Sequence, residues 1–175
     1  MVFTVIGIIL AAVFVAMVIS ILLSIFIWNP LEVGCQKFFI NCKYGNAELG
    51  DIAYGFKNGY AHIGMIMFLR GLFTGLWMLL FIIPGIVKSY EYMMIPYLLA
   101  EHPEMTRQEA FAESKQMMDG NKWDAFVLDL SFIGWTLLGV CTFGILLVFY
   151  VEPYIYLTRA ELYHALKNNN KPVEF

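Results

Sequence analysis

The stretch LLFIIPGIVKSYEYMMIPYLLAEHPEMT, residues 79–106, decides how this chain is read. It opens as an apolar helix, meets Pro84 and Gly85, admits Lys88 and Glu91, and turns apolar again before Pro96 and Pro103. Either a membrane span leaves the bilayer here, or it bends and stays. Proline inside a helix removes a backbone donor and clashes with the preceding turn, and an adjacent glycine makes a bend cheap. The expectation is a helix kink at Pro84 and Gly85, then a helix over about 85–100 lying partly in the membrane interface, with Pro96 as a further bend. Lys88 and Glu91 stand one helical turn apart, where they share a face or pair. Tyr90, Tyr92 and Tyr97 are the expected interfacial anchors.

Composition sets the class of the whole chain. Of 175 residues 60% are apolar and 14% charged, against roughly 45–50% and about 25% in a soluble domain. A bilayer needs about 20 apolar residues per helix, so one compact all-α bundle, residues 1–175, has room for about four transmembrane helices plus interfacial amphipathic helices.

Working outward, Met1–Trp28 is apolar on every face and reads as a first, retained span; it lacks the basic start of a cleavable signal, and its apolar run is too long for one. Trp28 suits an interface, and Pro30 suits the first turn of a new helix. Residues 31–44 mix Leu31, Val33, Phe38 and Phe39 with Glu32, Lys37 and Lys43, the mark of an interfacial helix. The glycine-rich stretch 45–60 reads as a loop. A second span covers about 61–83 and holds Arg70 and the spacing Gly71-x-x-x-Gly75, which permits close helix approach.

Thr106 with Glu109 forms a capping box opening a helix whose apolar stripe is Ala110, Phe111, Ser114, Met117 and Met118, and Gly120 ends it. With 85–100 this makes an interfacial segment of about 85–120. Spans three and four come next at about 123–142 and 144–166, joined tightly enough to form an antiparallel hairpin, with Pro153 as a kink in the fourth.

Orientation is read from basic residues near the spans. With the amino terminus inside, Lys37, Lys43 and Lys57 fall outside, and Lys88, Arg107, Lys115, Lys122, Arg159, Lys167 and Lys171 fall inside. Seven against three puts both termini on the cytoplasmic side of a multi-pass protein of the cell membrane.

A charge at the centre of a span costs about 2.5–3.5 kcal/mol on insertion scales, so each needs a partner or a wet cavity. Counting helical rise, matched depths pair Arg70 with Glu152 and Arg159 with Asp129. Structural ion pairs are the leading reading of these four, a substrate or proton path the other. For Lys88 and Glu91, solvated or snorkelling side chains are expected, and Glu101, Glu104, Glu109 and Glu113 are expected on a solvated face.

No basic run points to nucleic acid. Cys35, Cys42 and Cys141 lack a C-x-x-C spacing and His62, His102 and His164 are scattered, so no metal site is expected. No H-E-x-x-H, G-x-S-x-G or glycine-rich phosphate loop is present, so neither a catalytic residue nor a cofactor is assigned.

The runs LWMLLFIIPGIVKSYEYMMIPYLLAEHPEMTRQEA, SKQMMDGNKWDAFVLDLSFIGW and VEPYIYLTRAELYHAL closely resemble the bacterial integral membrane proteins labelled domain of unknown function 975, over about Asn29–Leu166. The resemblance draws attention to Pro84, Gly85, Lys88, Tyr90, Tyr97, Glu101, Pro103, Ser114, Gly120, Asn121, Lys122, Trp123, Ser131, Trp135, Pro153 and Tyr154. It implies a membrane location and a helical fold, and no known activity. Members usually begin with a basic amphipathic helix, which these residues lack. The family is also distantly similar to the membrane domain of some glycerophosphodiester phosphodiesterases, which transfers no chemistry.

The expected function is therefore that of a non-enzymatic bundle. Its segment 84–122 would present Lys88, Tyr90, Glu91, Tyr97, Lys115, Asn121, Lys122 and Trp123 to membrane lipids or to a second membrane protein. The alternative is a small-solute or peptide transporter or exporter component.

Overall fold

The computed structural model describes residues 2–142 and 144–169, with side chains for all of these but Val2, Phe3, Val5 and Cys141. The described residues are mostly helical and contain no strand. Among the described residues three helices are long and apolar enough to cross a membrane: Ile6–Cys42, Tyr60–Leu80 and Lys122–Val140.

The chain opens with α1 (Val2–Leu23), runs through a π-helical turn (Ser24–Trp28) and continues without a break into α2 (Asn29–Cys42). The expected restart at Pro30 is therefore not made. A proline in mid-helix leaves the carbonyl four residues earlier without its donor. Here the Asn29 N–H reaches back five residues to the Ser24 carbonyl, and the Phe26 carbonyl accepts from the Tyr60 hydroxyl at 2.7 Å. The π turn and one tyrosine carry the helix through its proline. The most apolar part of this helix buries nothing inside the protein: Ile8, Leu10 and Phe14 are all more than 60% exposed. Only an apolar surrounding covers such a helix.

After a 3-10 turn (Leu49–Ala53) and the short α3 (Tyr54–Lys57), α4 (Tyr60–Leu80) leads into the stretch 79–106. At Phe81 the backbone is extended (φ −151°, ψ 123°), and α5 (Ile82–Glu91) begins at once. The expected kink at Pro84 is thus a reversal three residues earlier. If α4 continued, Pro84 would clash with the Leu80 carbonyl; α4 stops at Leu80, and Pro84 falls in the first turn of α5, where its missing donor has no partner to lose. The Phe81 N–H bonds to Trp77 O (2.9 Å) and its carbonyl accepts from Gly85 N–H (3.0 Å), so the turning residue carries no unmet backbone group into lipid. α5 then folds back along α4 so closely that a Cβ on Gly85 would lie 2.6 Å from Met78 Cα. Gly71 and Gly75 have nothing within 4 Å, so their spacing is not a helix contact.

The second apolar run is not interfacial either. Met93 to Ala100 are all buried, and α6 (Ile95–Glu101) forms the centre of the core with Val33 and Ile40 of α2, Ile63 and Ile66 of α4, and Tyr163 and Leu166 further on. Pro96 lies in the first turn of α6 and kinks nothing. α7 (Arg107–Met118) starts with the expected capping box at Thr106 and Glu109 and buries Ala110, Ser114, Met117 and Met118 against this core. Gly120 (φ 78°) turns the chain out of it.

α8 (Lys122–Ser131) and α9 (Ile133–Cys141) run outward, and the return passes a second π turn (Leu147–Val151) into α10 (Glu152–Asn169). Pro153 comes after this turn as Pro30 comes after the first, with the Glu152 N–H bonded to Leu147 O. The expected fourth span, 144–166, is divided. Ile145, Val148 and Phe149 are exposed, whereas α10 buries Ala160, Tyr163, His164 and Leu166 in the core.

Residues that the charge count placed on opposite sides of a membrane touch one another. Lys43 Nζ is 2.6 Å from Glu161, the Tyr44 ring meets His164 edge-on at 5.5 Å, and His62 Nε2 is 2.7 Å from Met105 O. The reversal at Phe81 followed by α6 brings the chain back beside the start of α4, so the seven-to-three sorting of basic residues does not hold.

Gly85→Ala pushes α5 off the Met78 backbone and is expected to cost about 1–3 kcal/mol, the usual penalty of overpacking. Gly75→Ala, in open space, is expected to cost nothing. Thermal unfolding of both variants in detergent checks the difference.

Candidate functional site

Glu91, the last residue of α5, is 3% exposed, and its two oxygens take one lysine each. Lys88 Nζ lies 2.9 Å from Oε1 and Lys122 Nζ 3.4 Å from Oε2. Lys88 reaches it from one turn earlier on the same helix. Lys122 arrives from the first residue of α8, placed by Asn121, whose side-chain amide bonds the Met117 and Asp119 carbonyls and fixes the turn from α7. Ser114 Oγ donates to the Glu91 carbonyl at 2.8 Å, which ties α7 to the same point. Burial pushes the Glu91 carboxyl up, but the bonds and charges of Lys88 and Lys122 outweigh it and hold the group below its ordinary range. Glu91 and Lys88 are therefore not the solvated side chains expected from sequence. Lys88 also sits over the Trp77 ring (5.9 Å) and the Tyr92 ring (5.6 Å), contacts favourable to a partly desolvated cation.

Beside this triad an open groove of about 390 Å³ runs between α5 and α8, lined by Ile83, Ile86, Val87, Tyr90, Lys122, Trp123 and Phe126. Tyr90 meets Phe126 edge-on at 6.1 Å, and Trp123 is 70% exposed at its side. The Tyr90 hydroxyl donates to Asp129 Oδ2 at 3.1 Å, which links the groove to the charges that sequence expects within spans.

Of those charges, Arg159 and Asp129 pair as expected, at 2.9 Å. Arg70 does not pair with Glu152. Its guanidinium reaches Glu32 at 3.0 Å and the Tyr92 carbonyl at 3.0 Å. Matching by depth failed because it considered charges within spans alone, and the uninterrupted α1–α2 helix brings Glu32 to the same level. Glu152 is exposed, with no ion-pair partner among the described residues.

Two further corrections concern expected contact residues. Tyr97 is 2% exposed inside the core, stacked on Tyr163 at 5.4 Å, and cannot meet lipid. Lys115 lies on the exposed face of α7, outside the triad. Glu101, expected on a solvated face, accepts from the Tyr163 hydroxyl at 2.6 Å and from Lys167. Burial pushes its carboxyl up too, and Lys167 and Tyr163 bring it below the usual range. Sequence reasoning missed Glu32 and Phe126 as members of these constellations. Phe126 carries no local signal of a site, and Glu32 is 38 positions from its partner.

Among the described residues no three His, Cys, Asp or Glu side chains converge to hold a metal. Chemically, the arrangement offers two cations sharing one carboxylate next to an apolar wall: a place for an anion that carries hydrocarbon.

A double-mutant cycle on Arg70 and Glu32 is expected to give a coupling of about 0.5–3 kcal/mol in detergent unfolding, the range for residues in contact. The same cycle on Arg70 and Glu152 is expected to give none.

No curated protein and no solved structure matches the chain. The family model described as "Protein of unknown function (DUF975)" matches residues 1–170. The chain belongs to that family.

Proposed function

We propose that this protein is a non-enzymatic, multi-pass protein of the cell membrane whose segment 84–122 engages membrane lipid, with a second membrane protein as the other candidate partner. The observation that carries the reading is the Lys88–Glu91–Lys122 triad beside the α5–α8 groove. It combines positive charge with apolar surface, and Lys122 stands at the first residue of a helix long enough to cross a bilayer. Headgroups lie at that boundary, where lysine ammoniums and tryptophan rings are favoured.

Transport is the second reading, favoured by the four intramembrane charges and by the helix broken at Phe81. Arg70 closes on Glu32 and Arg159 on Asp129, which favours pairs that hold helices together.

Purification from native membranes in a mild detergent, followed by identification of co-purifying lipids and proteins, tests the proposal. Phospholipid retained on the folded bundle, in amounts comparable to the protein, is the expected result. Recovery of neither lipid nor partner overturns it.

A further inference from the structure

We propose that the α5–α8 groove is a binding site for one anionic phospholipid. An acyl chain lies along Ile83, Ile86, Val87 and Phe126, and the phosphate is held by the ammonium groups of Lys88 and Lys122. The inference rests on the lipid reading above and specifies its ligand.

Charge decides the headgroup. Two ammoniums and one carboxylate leave the triad with a formal charge of about +1, and each ammonium carries three donors, of which Glu91 engages one. Had Glu91 been there only to neutralise Lys88, one lysine would suffice. The second, brought from another helix, supplies the excess. A phosphate accepts from the donors that remain, and its charge completes the balance. A quaternary ammonium is a poor competitor despite the aromatic rings of Tyr90, Trp123 and Phe126, because Lys122 is itself part of the lining and repels it. Asp119 and Asp124, the nearest acids in sequence, are exposed and line no part of the groove.

Shape and position decide the tail. The groove's 390 Å³ falls within the roughly 300–1,000 Å³ of small-molecule sites. Its lining is apolar apart from the polar ends of Tyr90, Trp123 and Lys122: the Tyr90 hydroxyl is engaged by Asp129, and the Lys122 ammonium, on Glu91, marks the end where the triad stands. What faces the groove is hydrocarbon and ring. Lys122 opens the span Lys122–Val140, so the cations stand at its boundary and Trp123 and Phe126 lie further along the helix, into its apolar part. A lipid placed with its phosphate at the lysines has its tail along the groove, in the direction a bilayer lipid already takes.

The test uses the full chain in detergent micelles supplied with equal amounts of phosphatidylglycerol and phosphatidylcholine of matched acyl chains, with bound lipid read by native mass spectrometry. The wild-type protein is expected to retain phosphatidylglycerol in preference. Lys122→Gln is expected to reduce that preference about fivefold, equivalent to about 1 kcal/mol, the usual worth of one lysine near a lipid surface. Lys122→Arg keeps the preference, and Lys115→Gln, outside the site, leaves it unchanged. Val87→Trp, which fills the groove, lowers retention of both lipids. Equal retention of the two lipids by the wild-type protein, or the same preference in Lys122→Gln and Lys115→Gln, overturns the anionic site while leaving general lipid association standing. No phospholipid on the folded protein removes both.

Discussion

One extended residue sets the course of this chain. Phe81 separates two helices that composition alone would join, and the proline that forbids their joining is tolerated because it falls in the first turn of the second. A reversal surrounded by lipid is tolerable only if its backbone groups are satisfied within the chain, and both of Phe81's are. At the hairpin's tip Leu79 is 84% and Ile83 76% exposed. Beyond the hairpin an apolar segment returns into the body of the protein.

That segment, 93–100, gives the protein an interior of its own. Eight consecutive buried residues cannot be covered by one neighbour, because a helix presents side chains in every direction; α2, α4, α7 and α10 together enclose them. At the margin of this interior the charges meet in matched sets: Arg70 with Glu32, Arg159 with Asp129, Lys167 with Glu101, and two lysines on Glu91. Each set joins helices distant in sequence, so these sets fix which helices lie together. Only the last carries an extra cation, and it lies beside an open apolar groove.

How much of this was legible depended on range. Composition and the apolar runs gave the helical membrane class and three of the four expected long apolar helices, because both rest on local residue content alone. The capping box at Thr106, the apolar stripe of α7 and the end at Gly120 were readable for the same reason. Prolines misled. Pro30 marks no break, because a π turn and the Tyr60 hydroxyl, thirty-four positions from the Phe26 carbonyl it serves, take over the missing bond, and Pro84 marks a reversal whose turning residue is Phe81. At Pro96 an apolar run flanked by tyrosines has the same composition in an interface as in a core. Of the site, Lys88 with Glu91 was readable from helical spacing, and Arg159 with Asp129 from depth. The joining of Lys122 to Glu91, and of Glu32 to Arg70, depended on tertiary routing that no local pattern records.

That routing brings the chain after α6 back beside the start of α4, at the end of the bundle where the loop after α2 also lies, whereas four alternating spans would part the two. Asn46 and Glu104, both exposed, report on it. In a cysteine-free background, Asn46→Cys and Glu104→Cys, treated with a membrane-impermeant maleimide on sealed right-side-out and inverted vesicles, are expected to label from the same face. Labelling from opposite faces would contradict the reversal at Phe81 and the core built on it.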